Sequence, residues 1–228
     1  MSDVLQKVKS RGHWIVQIQP SEYVGERIEK LADLTEIVRQ SHVELRGWDF
    51  PHFNYNVRPT RNTDYVQQET DWEHCVEIWR AYKSGQFISI SALWGDWRDK
   101  STVWAPHENW HSGDTLSAED VVYRFLEIFE FVARWARLIP RKDEILVKSE
   151  LIGLENRSLE FSPRRMLSRF QYTSRINRFS WSKKYTRAQL FSVPKENAVE
   201  PTVKLFELFD WDAREETIQE IQNTIGSP

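Results

Sequence analysis

The sequence predicts a single α+β domain, residues 1–228, in which a mainly antiparallel sheet packs on one long, central apolar helix. Three observations lead there. Residues 117–139 sustain a helical pattern of bulky apolar side chains, and several shorter stretches alternate apolar with polar residues. The two kinds of segment also follow one another without the regular strand-helix-strand rhythm of a parallel sheet, and no Pro/Gly/Ser-rich linker divides the chain.

In chain order, residues 13–19 (HWIVQIQ) read as a strand with Trp14, Val16 and Ile18 on one face, ended by Pro20. Ile28, Leu31, Leu34, Ile37 and Val38 then step helically through residues 29–41, and residues 43–48 (VELRGW) read as a short strand. Residues 49–62 (DFPHFNYNVRPTRN) hold two Pro, three Asn and four aromatic or imidazole rings. That composition predicts an ordered loop, and loops of this length often carry function. Residues 75–83 and 86–94 flank a two-residue turn at Ser84-Gly85, with a helix over 72–82 as the alternative to the first strand. The second is the clearer strand, with Ile88, Ile90 and Ala92 opposing Phe87, Ser89 and Ser91.

A Trp-, Asp- and His-rich connection, residues 94–114, leads into the long helix. Val121, Phe125, Ile128, Val132, Trp135 and Ile139 recur at three- and four-residue steps, and Val122, Leu126, Phe129 and Ala136 widen the stripe. Asp120, Arg124, Glu127, Glu130, Arg134 and Arg137 fall on a narrow strip that reads as solvated, with Asp120–Arg124 and Glu130–Arg134 as i,i+4 pairs. Those charges exclude a membrane span. Ser117 caps the helix start, with Asp120 three residues on, and Pro140 stops it. Beyond Pro140, residues 145–151 and 154–161 read as strands about Gly153, a further strand pair falls between 170 and 191, and one or two amphipathic helices close the chain over 199–225.

The lone Cys75 allows no internal disulfide, and with no signal-peptide pattern the expectation is a soluble cytoplasmic protein with no membrane contact. A net charge of -3 gives no global pull towards nucleic acid. Eleven Trp are unusual; most sit within periodic apolar patterns, which favours core and rim packing over a stacking surface.

Three stretches, VELRGWDFPHF, EIWRAYKSGQFISISAL and LEIFEFVARWARL, resemble a module of uncharacterised bacterial proteins. That module occurs as a separate chain or attached to a Schlafen-like (AlbA-type) nucleic-acid-binding region. The resemblance covers residues 14–138. It implies a bacterial cytoplasmic module from a defence or nucleic-acid-handling setting, and it brings no catalytic residues. An accessory or sensing subunit with a protein partner is therefore expected, without catalysis or cofactor of its own.

Two alternatives come from the residues themselves. His107, Glu108 and His111 match H-E-x-x-H, the pattern of a zinc-dependent hydrolase, in which two His one helical turn apart bind zinc and the Glu serves as general base. Pro106 before the motif and Ser112-Gly113-Asp114 after it deny it a sustained helix, so a turn without metal is expected. Asp49, His52, His74, Glu77 and Asp96 have the side chains of an acid-base or metal cluster, but no spacing that specifies one. Cys75 is expected to be structural, because a catalytic base must be adjacent in space rather than in sequence.

The second alternative is a basic segment. Between residues 157 and 187 there are nine Lys or Arg (Arg157, Arg164, Arg165, Arg169, Arg175, Arg178, Lys183, Lys184 and Arg187) against Glu160 alone. Phe170, Tyr172, Phe179, Trp181 and Tyr185 interleave with them. A β-ribbon of this kind can offer cations to phosphates and rings such as Trp181 to bases. It can equally turn its rings to the core and its charges to an acidic surface, such as the eight acids of residues 196–220. Arg164, Arg165, Arg169, Arg175, Arg178, Trp181, Lys183 and Lys184 are thus candidate contacts for nucleic acid or a protein partner.

Overall fold

The computed structural model describes residues 2–99, 111–141, 143–162 and 171–225. It is α+β. Seven strands form one sheet: β1 (His13–Pro20), β2 (Thr60–Arg61), β3 (Tyr65–Trp72), β4 (Cys75–Tyr82), β5 (Phe87–Ala92), β7 (Ile145–Ile152) and β9 (Arg178–Tyr185). Their order is β2-β3-β4-β5-β1-β7-β9 and every pairing is antiparallel. β6 (Thr115–Ser117) and β8 (Ser158–Glu160) pair in parallel as a separate ribbon. The helices are α1 (Asp3–Lys9), α2 (Leu31–Ser41), α3 (Ala118–Leu138), α4 (Arg187–Ser192), α5 (Pro194–Asn197), α6 (Val199–Glu207) and α7 (Glu215–Gln222). Among the described residues, no helix is long and apolar enough to cross a membrane.

α3 lies on the inner sheet face with α2 on one side and α4 to α7 on the other. Trp14 meets Phe125 edge-on at 5.3 Å, Phe87 meets Phe131 at 4.7 Å, and Phe129 meets Tyr185 at 5.5 Å. α1 covers part of the outer face over β4 and β5. The ends of α3 follow from capping chemistry: the Ser117 hydroxyl accepts the Asp120 N–H, and Pro140 stands beyond the C-cap Ile139. The β4–β5 turn needs Gly85, whose φ of +83° suits a residue without Cβ. Far from α3's middle, Arg157 makes a buried bidentate pair with Asp96, which also accepts the Gly12 N–H, binding the start of β1 to the segment before β8.

Several expectations need correction. Residues 43–48 form no strand: only Val43 pairs, exchanging both backbone hydrogen bonds with Phe50 at 2.9 Å and closing a loop. The helix alternative for 72–82 is replaced by the β3–β4 hairpin, which turns at Glu73 and His74. Strand β8 covers only the last part of 154–161 and pairs with β6, not with β7. Residues 171–191 supply one strand and one helix rather than two strands. The polar strip of α3 is not simply solvated. Glu127 is 1% exposed and receives Arg46 at 2.7 and 3.3 Å, Arg46 also reaches Asp120, and Arg134 donates to the His42 carbonyl. The partner of that strip is the α2–β2 loop.

Candidate functional site

The α2–β2 loop, residues 42–59, is held by neighbours that satisfy its backbone. Phe50 goes into the core against Phe131, and Phe53 lies over Trp79 with ring centroids 6.0 Å apart. The Asp49 carboxylate accepts the Phe53 N–H at 2.9 Å and meets His52 Nδ1 at 2.5 Å. From β4, Glu77 accepts the His52 N–H at 2.6 Å while the Trp79 indole donates to the His52 carbonyl at 2.7 Å. From β3, Gln68 accepts the Asn54 N–H and donates to the Asn54 and Val57 carbonyls. A loop otherwise short of backbone partners is thereby fixed by buried polar side chains.

With the backbone so occupied, the remaining rings face outwards. His52 stacks on Trp48 at 4.0 Å with planes 18° apart, and Trp48 stacks in turn on Trp72 at 5.7 Å and 21°. Trp72 is 58% exposed and Tyr55 59%. These rings, with Asn54, Asn56 and Thr70, line an open cleft of about 330 Å³.

Charge adjusts the site. Burial works against a proton on His52, but the Asp49 hydrogen bond and the charges of Asp49 and Glu77 outweigh it and raise the imidazole pKa above 6.5. When protonated, His52 lies on the π-face of Trp48, a favourable arrangement. Burial raises the Glu77 carboxyl, against the opposing pull of Arg124 and the His52 N–H. Burial and then the Glu77 charge push the Cys75 thiol up to about 11, so it stays protonated and is a poor nucleophile near neutral pH.

Beside the cleft, His42, Glu44 and Asp49 bring one possible metal-ligating atom each within 4.8 Å of one another. No protein-family model matches the chain, and no curated protein or solved structure matches it either. The site's chemistry therefore rests on this geometry.

Of the five residues with acid-base side chains, the fold brings together Asp49, His52 and Glu77. His74 stands apart, 5.9 Å from the Trp94 ring, and Asp96 is the buried partner of Arg157. His107 and Glu108 of the H-E-x-x-H motif lie outside the described residues. His111 lies outside any helix, 78% exposed at its side chain, and its N–H donates to Asp114 at 2.7 Å.

In the basic segment, Arg164, Arg165 and Arg169 lie outside the described residues. Trp181 is 7% exposed and packs edge-on to Phe129, because alternation along β9 turns Phe179, Trp181 and Tyr185 to α3; the ring has no face left for a base. Arg178 pairs with Glu150 at 2.6 Å and Lys183 with Glu200 of α6 at 2.5 Å, while Arg175 and Lys184 are exposed. Arg157, in the same run, is spent on Asp96.

Sequence reasoning marked the loop through its length and rings, and named Asp49, His52 and Glu77. It missed Trp48, Trp72, Tyr55, His42 and Glu44. The one signal for them was the density of rings on either side of the loop.

Proposed function

We propose that this chain is a non-catalytic binding module, an accessory or sensing subunit, that receives a planar side chain of a protein partner in the cleft of Trp48, Trp72 and Tyr55. The His52–Trp48–Trp72 stack carries this reading: rings on a fixed backbone lose little entropy on binding and bury large area, the properties of interface anchors. The polar groups support binding over chemistry. Glu77 and Gln68 are committed to holding the loop. Exposed Glu44 and Glu73, beside the cleft and next to Trp72, favour arginine among planar groups and disfavour phosphate. The resemblance stated above supports the setting, a bacterial cytoplasmic system, since VELRGWDFPHF is the loop itself.

The test follows the indole N–H signals of Trp48 and Trp72 by NMR during titration with short peptides bearing arginine, tyrosine or lysine, and with a single-stranded oligonucleotide. Shifts of both indoles with the arginine peptide, abolished in Trp72→Ala, are expected. Silence of both with the arginine and tyrosine peptides overturns the reading, as does a response to the oligonucleotide alone.

A further inference from the structure

The start of the loop holds a cluster of possible metal ligands at the edge of the aromatic cleft, beside Tyr55. The His42 ring is oriented through Nδ1, which meets the Arg39 carbonyl. In the neutral ring Nδ1 therefore carries the hydrogen and Nε2 presents its lone pair, the second-partner arrangement that orients metal-binding histidines. That nitrogen accepts the Tyr55 hydroxyl at 3.3 Å, a bond that a metal would displace, and stands 3.6 Å from Glu44 Oε1. Asp49 supplies the third acceptor and is itself fixed by His52 and the Phe53 N–H.

The three possible ligand atoms lie within 4.8 Å of one another, close enough for one cation to meet all three. Ligands about 2.1 Å from a tetrahedral ion stand roughly 3.4 Å apart. The His42–Glu44 separation is already near that value, and Glu44, 69% exposed at its side chain, has room to close the rest. One imidazole and two carboxylates suit a first-row divalent ion better than a hard all-oxygen ion.

We propose that His42 Nε2, Glu44 and Asp49 bind one divalent transition-metal ion of the zinc type, with a coordination position left open beside Tyr55. The ion would tie the start of the loop, directly after α2, to Asp49 further along it. This inference goes beyond the partner-binding reading and does not depend on it, because the probe is the metal alone.

Zinc is titrated by calorimetry into full-length protein stripped with a chelator, and the bound metal is counted after gel filtration. One equivalent is expected. His42→Ala and Glu44→Gln should each weaken binding by about tenfold or more, with circular dichroism unchanged, and His107→Ala with His111→Ala should leave it intact. Replacement by Co²⁺ should give visible absorption bands that the His42→Ala protein lacks. The proposal fails if the stripped protein takes up no zinc, if His42→Ala and Glu44→Gln bind it as tightly as the parent, or if only the His107→Ala/His111→Ala protein loses it.

Discussion

The loop over β3 and β4 and the strand β9 are both built from aromatic rings set among polar and charged residues, and the fold uses them in opposite ways. In β9, alternation carries Phe179, Trp181 and Tyr185 to α3, where they are 4%, 7% and 2% exposed. In the loop no such period exists. Phe50 and Phe53 anchor it inwards, side chains of Asp49, Gln68, Glu77 and Trp79 satisfy its backbone, and Trp48 and Tyr55 remain at the surface, joined there by Trp72 from the end of β3. A ring on a regular element beside an apolar helix is core unless something prevents it. A ring is presented where buried polar side chains hold the backbone and leave the ring nothing else to do.

The strongest way to break this contrast is to truncate one tryptophan of β9 and the tryptophan of β3 that stacks on the loop. Trp181→Ala should lower stability by about 3–5 kcal/mol, because it empties a filled site against Phe129 and Tyr185. Trp72→Ala should stay within about 0.5 kcal/mol of the parent in urea denaturation. Equal losses would mean that the two regions do not differ as described.

Next in size is Glu77→Ala, expected to cost about 1–3 kcal/mol by leaving the His52 N–H without its acceptor. Faster hydrogen exchange at His52 and Phe53, with β9 amides unchanged, would place the effect in the loop. Uniform acceleration across the sheet would count against a local role.

A smaller effect is expected from pH. The folded-state pKa of His52 is raised above its ordinary 6.5, so the folded protein holds that proton more tightly than the unfolded chain. The stabilisation is complete below 6.5 and is lost as pH rises through the higher folded value. Glu77, also raised by burial, contributes in the same direction from its ordinary 4.5 upwards. Urea midpoints should therefore fall as pH rises through and above 6.5, and His52→Gln should flatten that part of the curve. A parent curve that rises there would reverse the assignment.

The least change in stability should come from Arg175→Glu combined with Lys184→Glu, within about 0.5 kcal/mol, since both side chains are exposed. The same protein sharpens the comparison in another way. If the parent binds single-stranded DNA and the double reversal flattens its salt dependence, the outer side of β9 meets phosphates although its rings are buried.

Much of the fold was legible where local chemistry decides it. Ser117 and Pro140 bound the long helix, the alternation within residues 13–19 and 86–94 marks the strands observed as β1 and β5, and Ser84-Gly85 turns between neighbours. β3 escaped because its inner face carries Gln68 and Thr70, which are buried under the loop and not under an apolar helix, so no hydrophobic alternation survives. The strip on α3 was misread because its partner, Arg46, comes from a loop far away in sequence. The site was legible as residue types in Asp49, His52 and Glu77. Their proximity, and the separation of Asp96 and His74 from them, are set by strand pairing over long sequence distances.

The two margins of the main sheet bear on how the molecule behaves in a crowd. β2 is only two residues long, and β9 carries Arg178, Lys183 and Lys184 along the other margin. A second copy approaching β9 to extend the sheet would meet like charge with its own, and one approaching β2 would find almost no backbone to zip onto. Concentrated solutions should therefore resist fibril growth by strand addition at these two strands.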